Sequence, residues 1–177
     1  MTKQVSVTRS DIDDHRESLR ASAEQTQIQI AELAGAEGPL EFLFQLKFQS
    51  MGCDPLKPSR QLNLIEQLNQ TFTYLASFNG ADFLFSRHPK VQRLTLSLGT
   101  AAGSDIETPE SGGIAAEVFA AVTPRNNGKL AKDIKKVLSA KAEHRYVLFM
   151  SPECEAGPYQ GAQNAAGVVV WSLGCPL

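Results

Sequence analysis

"GSDIETPESGGIAAEVFAAV", Gly103 to Val122, is the stretch on which the fold turns. One aspartate, Asp105, follows a glycine-containing turn, and one glutamate, Glu117, sits inside an otherwise apolar run. "IAAEVFAAV" has the composition of a central strand covered on both faces. An ionised carboxylate in such a strand is costly. It must be paired, hydrogen-bonded or on a metal, or it takes up a proton. The purely structural solution is an ion pair between Glu117 and a downstream lysine. A second solution involves Asp105. The turn from Pro109 to Gly113 folds the chain back, so that "SDIE" and "AAEVF" become neighbours in one hairpin. Two carboxylates at one level of adjacent strands repel unless a cation lies between them. Hard oxygen donors with open water positions suit Mg²⁺.

Upstream of this stretch the chain reads as helical. "SDIDDHRESLRASAEQTQIQIAELAG" is a helix capped by Ser10, with acidic residues in its first turn. "PLEFLFQLKFQSMG" is a short apolar helix with Pro39 at its start, followed by a loop, "CDPLKPSR". In the next helix, from Arg60 onward, Leu64, Leu68, Thr71 and Leu75 form a stripe, and Asn63, Glu66, Gln67 and Gln70 form a polar side. That helix is expected to run through Gly80 to about Phe85. "QRLTLSLG" then alternates with the period of a half-buried strand. Downstream, "NGKLAKDIKKVLSA" is an amphipathic helix, and "RYVLFMSP" and "GVVVWSLG" are further apolar strands. One mixed sheet with helices packed on it is the economical architecture.

This order, with an acid ending the second strand and another in the third, resembles the PD-(D/E)xK nuclease superfamily. The resemblance implies an α/β (α+β) fold: a restriction endonuclease-like mixed sheet flanked by helices, with extra N-terminal helices. Residues 1–177 then form a single domain, with 10–52 as a helical extension and 60–173 as the nuclease-like core. It implies that Asp105 and Glu117 bind Mg²⁺ or Mn²⁺, with the carbonyl of Val118 as a further ligand. Glu66, on the leading helix, joins the metal site by the same analogy, supported by Gln67 and Gln70. The implied activity is metal-dependent hydrolysis of a DNA phosphodiester.

The sequence departs from the pattern in two places. Ser104 replaces the proline, and Phe119 stands where the family has its lysine. Two explanations remain open. The lysine has moved to the following helix, with Lys129 and Lys132 as the nearest catalytic candidates, or the protein keeps the fold without the chemistry. Under the first, Arg125, Asn126, Asn127, Lys129, Lys132 and Lys136 provide a DNA-binding rim, and an asparagine caps the helix whose amides attract phosphate. Under the second, the chain is a catalytically inactive regulatory module that binds nucleic acid or a protein partner.

Composition narrows the field further. The chain has 177 residues, 42% hydrophobic and 20% charged, and a net charge of −2, so any nucleic-acid surface must be a local basic patch. No run of about eighteen apolar residues is present, so no membrane span is expected. The first residues lack the apolar core of a secretory signal. Three separated cysteines give neither a disulfide framework nor a zinc knuckle, and a cytoplasmic setting is expected. His15, His88 and His144 have no partner at metal-ligand spacing and read as surface histidines. The N-terminal helices are a candidate homodimer interface, because cutting two strands usually takes two sites. A small-molecule enzyme on another α/β fold is a third, minor reading.

Overall fold

The computed structural model describes residues 3–35, 38–99, 103–109, 112–125, 128–161 and 166–177. In chain order the elements are β1 (Lys3–Val7), α1 (Asp11–Leu33), α2 (Pro39–Phe48), β2 (Gly52–Asp54), β3 (Lys57–Leu62), α3 (Leu64–Arg87) and β4 (Leu94–Leu98). There follow β5 (Ile106–Glu107), β6 (Gly112–Ala120), α4 (Lys129–Leu138), β7 (Ala142–Met150), β8 (Gly157–Pro158) and β9 (Val169–Ser172). The chain divides into two compact units, residues 1–12 with 76–177, and residues 13–75. The boundaries fall inside α1 and α3. No helix among the described residues is long and apolar enough to cross a membrane.

The larger unit is a mixed α/β fold around a seven-stranded sheet of order β1-β4-β5-β6-β7-β9-β8. β4, β5 and β6 form an antiparallel meander; β7 then joins β6 in parallel and β9 joins β7 in parallel. A parallel pair needs a crossover, and α4 provides it between β6 and β7. Alternation along the strands builds two apolar faces. On one, Phe119, Val147, Phe149 and Val170 pack with Leu130 and Val137 of α4. On the other, the second half of α3 comes close at Gly80. A Cβ built there would stand 3.2 Å from a methyl of Leu148 and 3.3 Å from methyls of Ile106 and Val118.

The smaller unit contains most of α1, α2, the β2–β3 hairpin and the first half of α3. A buried polar network joins α1, the hairpin and α3. Ser22 Oγ donates to the Cys53 carbonyl at 2.7 Å, and Gln67 Nε2 donates to Ser22 Oγ at 2.8 Å. Helix α2 has no buried residue, and Leu40, Leu43, Phe44 and Phe48 are exposed along it.

Three features were not read from the sequence. "KQVSV" is a strand, β1, paired antiparallel with β4 from Lys3–Leu98 to Val7–Leu94. The expected loop "CDPLKPSR" is the β2–β3 hairpin, whose second strand is exposed except at Leu62. β8 is two residues long and pairs with β9. Helix α3 also continues one half-turn past Phe85, to Arg87.

Candidate functional site

The meander places Asp105 and Glu117 as sequence and register require. Ile106 pairs with Ala116, so Asp105 and Glu117 lie one residue beyond that pair on neighbouring strands. Asp105 is held from both sides. Its carbonyl accepts from Ser97 N at 2.8 Å, and its Oδ2 accepts from Val118 N at 2.9 Å. Glu117 points to the α4 face with Phe119, and only 1% of its surface is accessible.

The lysine beside these acids is Lys136, two turns into α4. Its Nζ donates to Glu117 Oε2 at 2.7 Å. Of the two nearest lysines in the sequence, Lys132 is exposed, and Lys129 instead meets Asp133, with Nζ to Oδ1 at 2.8 Å. Lys129 also lies over the Phe119 ring, 5.7 Å from its centroid. Phe119 itself belongs to the core, stacked on Phe149 with centroids 5.6 Å apart. The position two residues after Glu117 is therefore filled by packing, and the helix above supplies the ammonium.

Asp133 is a member of the cluster that the sequence reading passed over. It is buried on α4, four residues after Lys129 and three before Lys136. Such spacings share one helix face, and an aspartate within a lysine-rich amphipathic helix at these intervals was the available signal.

Burial dominates the electrostatics. It pushes the Glu117 carboxyl up to about 7, helped by the charge of Asp105, while the hydrogen bond from Lys136 works in the opposite direction. Asp133 is raised by burial too, against its hydrogen bond from Lys129. For Lys136 burial works downward, but the hydrogen bond and charge of Glu117, with Asp105 and Asp133, outweigh it and hold the ammonium above the usual lysine range. Lys136 is thus a donor at neutral pH.

The second oxygen of Glu117, Oε1, is buried without a hydrogen-bond partner, as is Asp133 Oδ2. Among the described residues, no group of three or more His, Cys, Asp or Glu side chains is placed to hold a metal. The donors at hand are two strand carboxylates, one with a buried free oxygen. That set fits Mg²⁺, which is commonly held by one or two carboxylates together with water and substrate phosphate. Beside the cluster lies an open groove of about 530 Å³, lined among others by Ser104, Thr108, Ala115, Lys136, Ser139 and Lys141.

The remaining candidates have other partners. Glu66 forms a reciprocal cap at the start of α3. Its backbone N–H donates to Asn63 Oδ1 at 2.9 Å, and its Oε2 accepts from Asn63 N at 3.3 Å. Gln67 is buried in the Ser22 network, and Gln70 Nε2 donates to Asp54 Oδ2 at 3.3 Å and to the Tyr74 hydroxyl. Glu66, Gln67 and Gln70 belong to the smaller unit, whereas Asp105, Glu117 and α4 belong to the larger. Arg125 is exposed. Asn126 and Asn127 lie outside the described residues, and the N-cap position of α4 is Gly128, at φ +64°. Of the histidines, His88 is not a simple surface residue. Its Nε2 lies 2.7 Å from the Tyr146 hydroxyl, and its ring lies 4.6 Å from that of His144.

No family model matches this chain, nor does any curated protein or solved structure.

Proposed function

We propose that the protein is a metal-dependent endonuclease that hydrolyses DNA phosphodiesters in the manner of the PD-(D/E)xK superfamily. The observation that carries this reading is the contact of Lys136 with Glu117 beside Asp105, on a core ordered helix, three-strand meander, helix, parallel strand. That order is the one the superfamily uses, and Lys136 stands in for the lysine displaced by Phe119. Asp105 and Glu117 hold the metal. When bound, Mg²⁺ supplies Lewis-acid stabilisation of the charge on the transferring phosphoryl group.

The chain's own groups do the rest. Lys136 stays protonated, so it acts as a hydrogen-bond donor to the attacking water or to a phosphate oxygen, not as the base. Lys136 and Lys141 make the groove attractive to a phosphate backbone. The exposed Lys132 and Lys135 continue the positive charge along α4. Hydrolysis adds water across the phosphodiester and leaves one phosphomonoester and one hydroxyl.

The test is cleavage of plasmid DNA in Mg²⁺ or Mn²⁺. Loss of cleavage in Lys136→Met and in Asp105→Asn supports the reading, and wild-type rates in either variant sink it. The rival, an inactive binding module on the same architecture, draws on Phe119. It predicts DNA retention by the α4 surface with no Mn²⁺ binding and no cleavage.

A further inference from the structure

Asp133 has no role in the reaction proposed above, yet it is one of the most buried charges in the protein. One of its oxygens is used by Lys129, and the other, Oδ2, has no partner. A buried carboxylate left half satisfied is expensive, so its presence in α4 calls for a second cation that can reach it.

Lys136 meets that description. It lies three residues on, on the same helical face, and the charges of Asp133 and Lys136 act on one another. Its side chain is 44% exposed and carries its charge on a flexible four-carbon stem, so the ammonium can move without moving the helix. At present it rests on Glu117. A divalent cation taken up by the free Oε1 of Glu117 would repel the ammonium held on Oε2, because two like charges would then sit on the two oxygens of one buried carboxylate. Asp133 is not placed to be a third metal ligand, since no three-acid group with suitable geometry exists among the described residues.

We infer that Asp133 is a positioning residue, the second resting place of the Lys136 ammonium when a divalent cation takes over Glu117. This inference rests on the reading of Asp105 and Glu117 as metal ligands. Cation binding and placement of the lysine then form a single exchange. The ammonium leaves Glu117, gains Asp133 Oδ2, and stays within the site instead of swinging into water. Lys129 keeps the other oxygen throughout, which fixes the orientation of the Asp133 carboxylate.

The experiment is a double-mutant cycle read by Mn²⁺ calorimetry on the full chain: wild type, Asp133→Asn, Lys136→Met and the double variant. Asp133→Asn is expected to weaken Mn²⁺ binding about tenfold, the size of one lost charge-assisted hydrogen bond. Lys136→Met is expected to tighten binding, because the competing ammonium is gone. In the Lys136→Met background, adding Asp133→Asn should change affinity by less than about twofold. A similar weakening in both backgrounds would mean that Asp133 acts on the metal directly through its charge, and would overturn the inference. So would an unchanged affinity in Asp133→Asn alone. If wild type binds no Mn²⁺ at all, the metal reading itself fails, an outcome distinct from the other two. Asp133→Ser replaces the Asn variant if the latter does not fold.

Discussion

The rings of Phe119 and Phe149 stack at 19° between the sheet and α4, with their centroids 5.6 Å apart. They occupy the place from which a lysine two residues after Glu117 would project. Phe119→Ala should therefore cost about 3–5 kcal/mol in urea or guanidinium unfolding. Phe119→Lys, which restores the familiar spacing, should be at least as unstable, because it buries an ammonium in an apolar cluster. It should not rescue cleavage in a Lys136→Met background. Rescue would show that the apolar cluster tolerates an ammonium at position 119 and that packing does not exclude a lysine there.

The pH dependence of stability in the metal-free protein should carry the signature of Glu117. Its carboxyl is raised from 4.5 to about 7 on folding. Between those values the folded state holds a proton that the unfolded state has released, so stability falls as pH rises through the window and levels off above 7. The loss attributable to this group should be on the order of a few kcal/mol. Thermal melts of wild type and Glu117→Gln across pH 4–8 test it. The difference between the two should change through this window, and a constant difference would refute the assignment. Saturating Mg²⁺ should flatten the wild-type curve, because a bound cation favours the ionised carboxylate.

His88 should contribute the opposite slope. Burial, then the charges of His144 and Arg87, lower its pKa below the usual 6.5. Folding therefore disfavours its protonated form, and the stability associated with it is lost as pH falls through 6.5. His88→Gln should remove that acid-side loss while keeping a hydrogen-bonding group near Tyr146. An NMR titration of the ring should give a midpoint below that of an unfolded-chain histidine.

The cap at the start of α3 makes a test that needs no activity. Asn63 and Glu66 satisfy one another's backbone N–H groups. Asn63→Ala should cost about 1 kcal/mol. Glu66→Ala should cost a smaller amount, and because the two form one reciprocal box their effects should fall short of additive. Strict additivity in chemical denaturation would show the cap to be unimportant in solution.

Gly80 sits where α3 meets the sheet. An interior glycine ordinarily costs a helix about 1 kcal/mol relative to alanine. Here a methyl would already press on Leu148, Ile106 and Val118 at 3.2–3.3 Å. Gly80→Leu should destabilise by about 1–3 kcal/mol or more through overpacking. Because Ile106 and Val118 flank Asp105 and Glu117 in sequence, the same change should weaken Mn²⁺ binding. Unaltered stability would show that the helix can retreat from the sheet.

What could be read in the sequence was set by how local each signal is. The buried acid in "IAAEVFAAV", the alternation in "LTLSL" and the amphipathic α4 are short-range patterns, and all three elements form where expected. The hairpin that brings Asp105 beside Glu117 followed from its turn. β3 gave no comparable pattern, because "KPSRQL" is polar and almost wholly exposed; "KQVSV" does alternate, with Val5 and Val7 against Gln4 and Ser6, but it is short and its partner lies some ninety positions away. Which lysine reaches Glu117 was a question of helix phase over two turns. Proximity in sequence favoured Lys129 and Lys132, whereas the turn of the helix selects Lys136. Asp133 was hidden for the same reason. A lone acid among lysines resembles a solvated helix face until the helix is laid on the sheet.

The pairing of β1 with β4 also constrains how the chain can be made. Lys3–Val7 are synthesised before their hydrogen-bonding partners, Leu94–Leu98, and the whole of the smaller unit is made in between. At about 5–20 residues per second the wait is several seconds. Throughout it β1 has an open backbone edge. The polar Gln4 and Ser6 suit a segment that must stay unpaired until the sheet arrives.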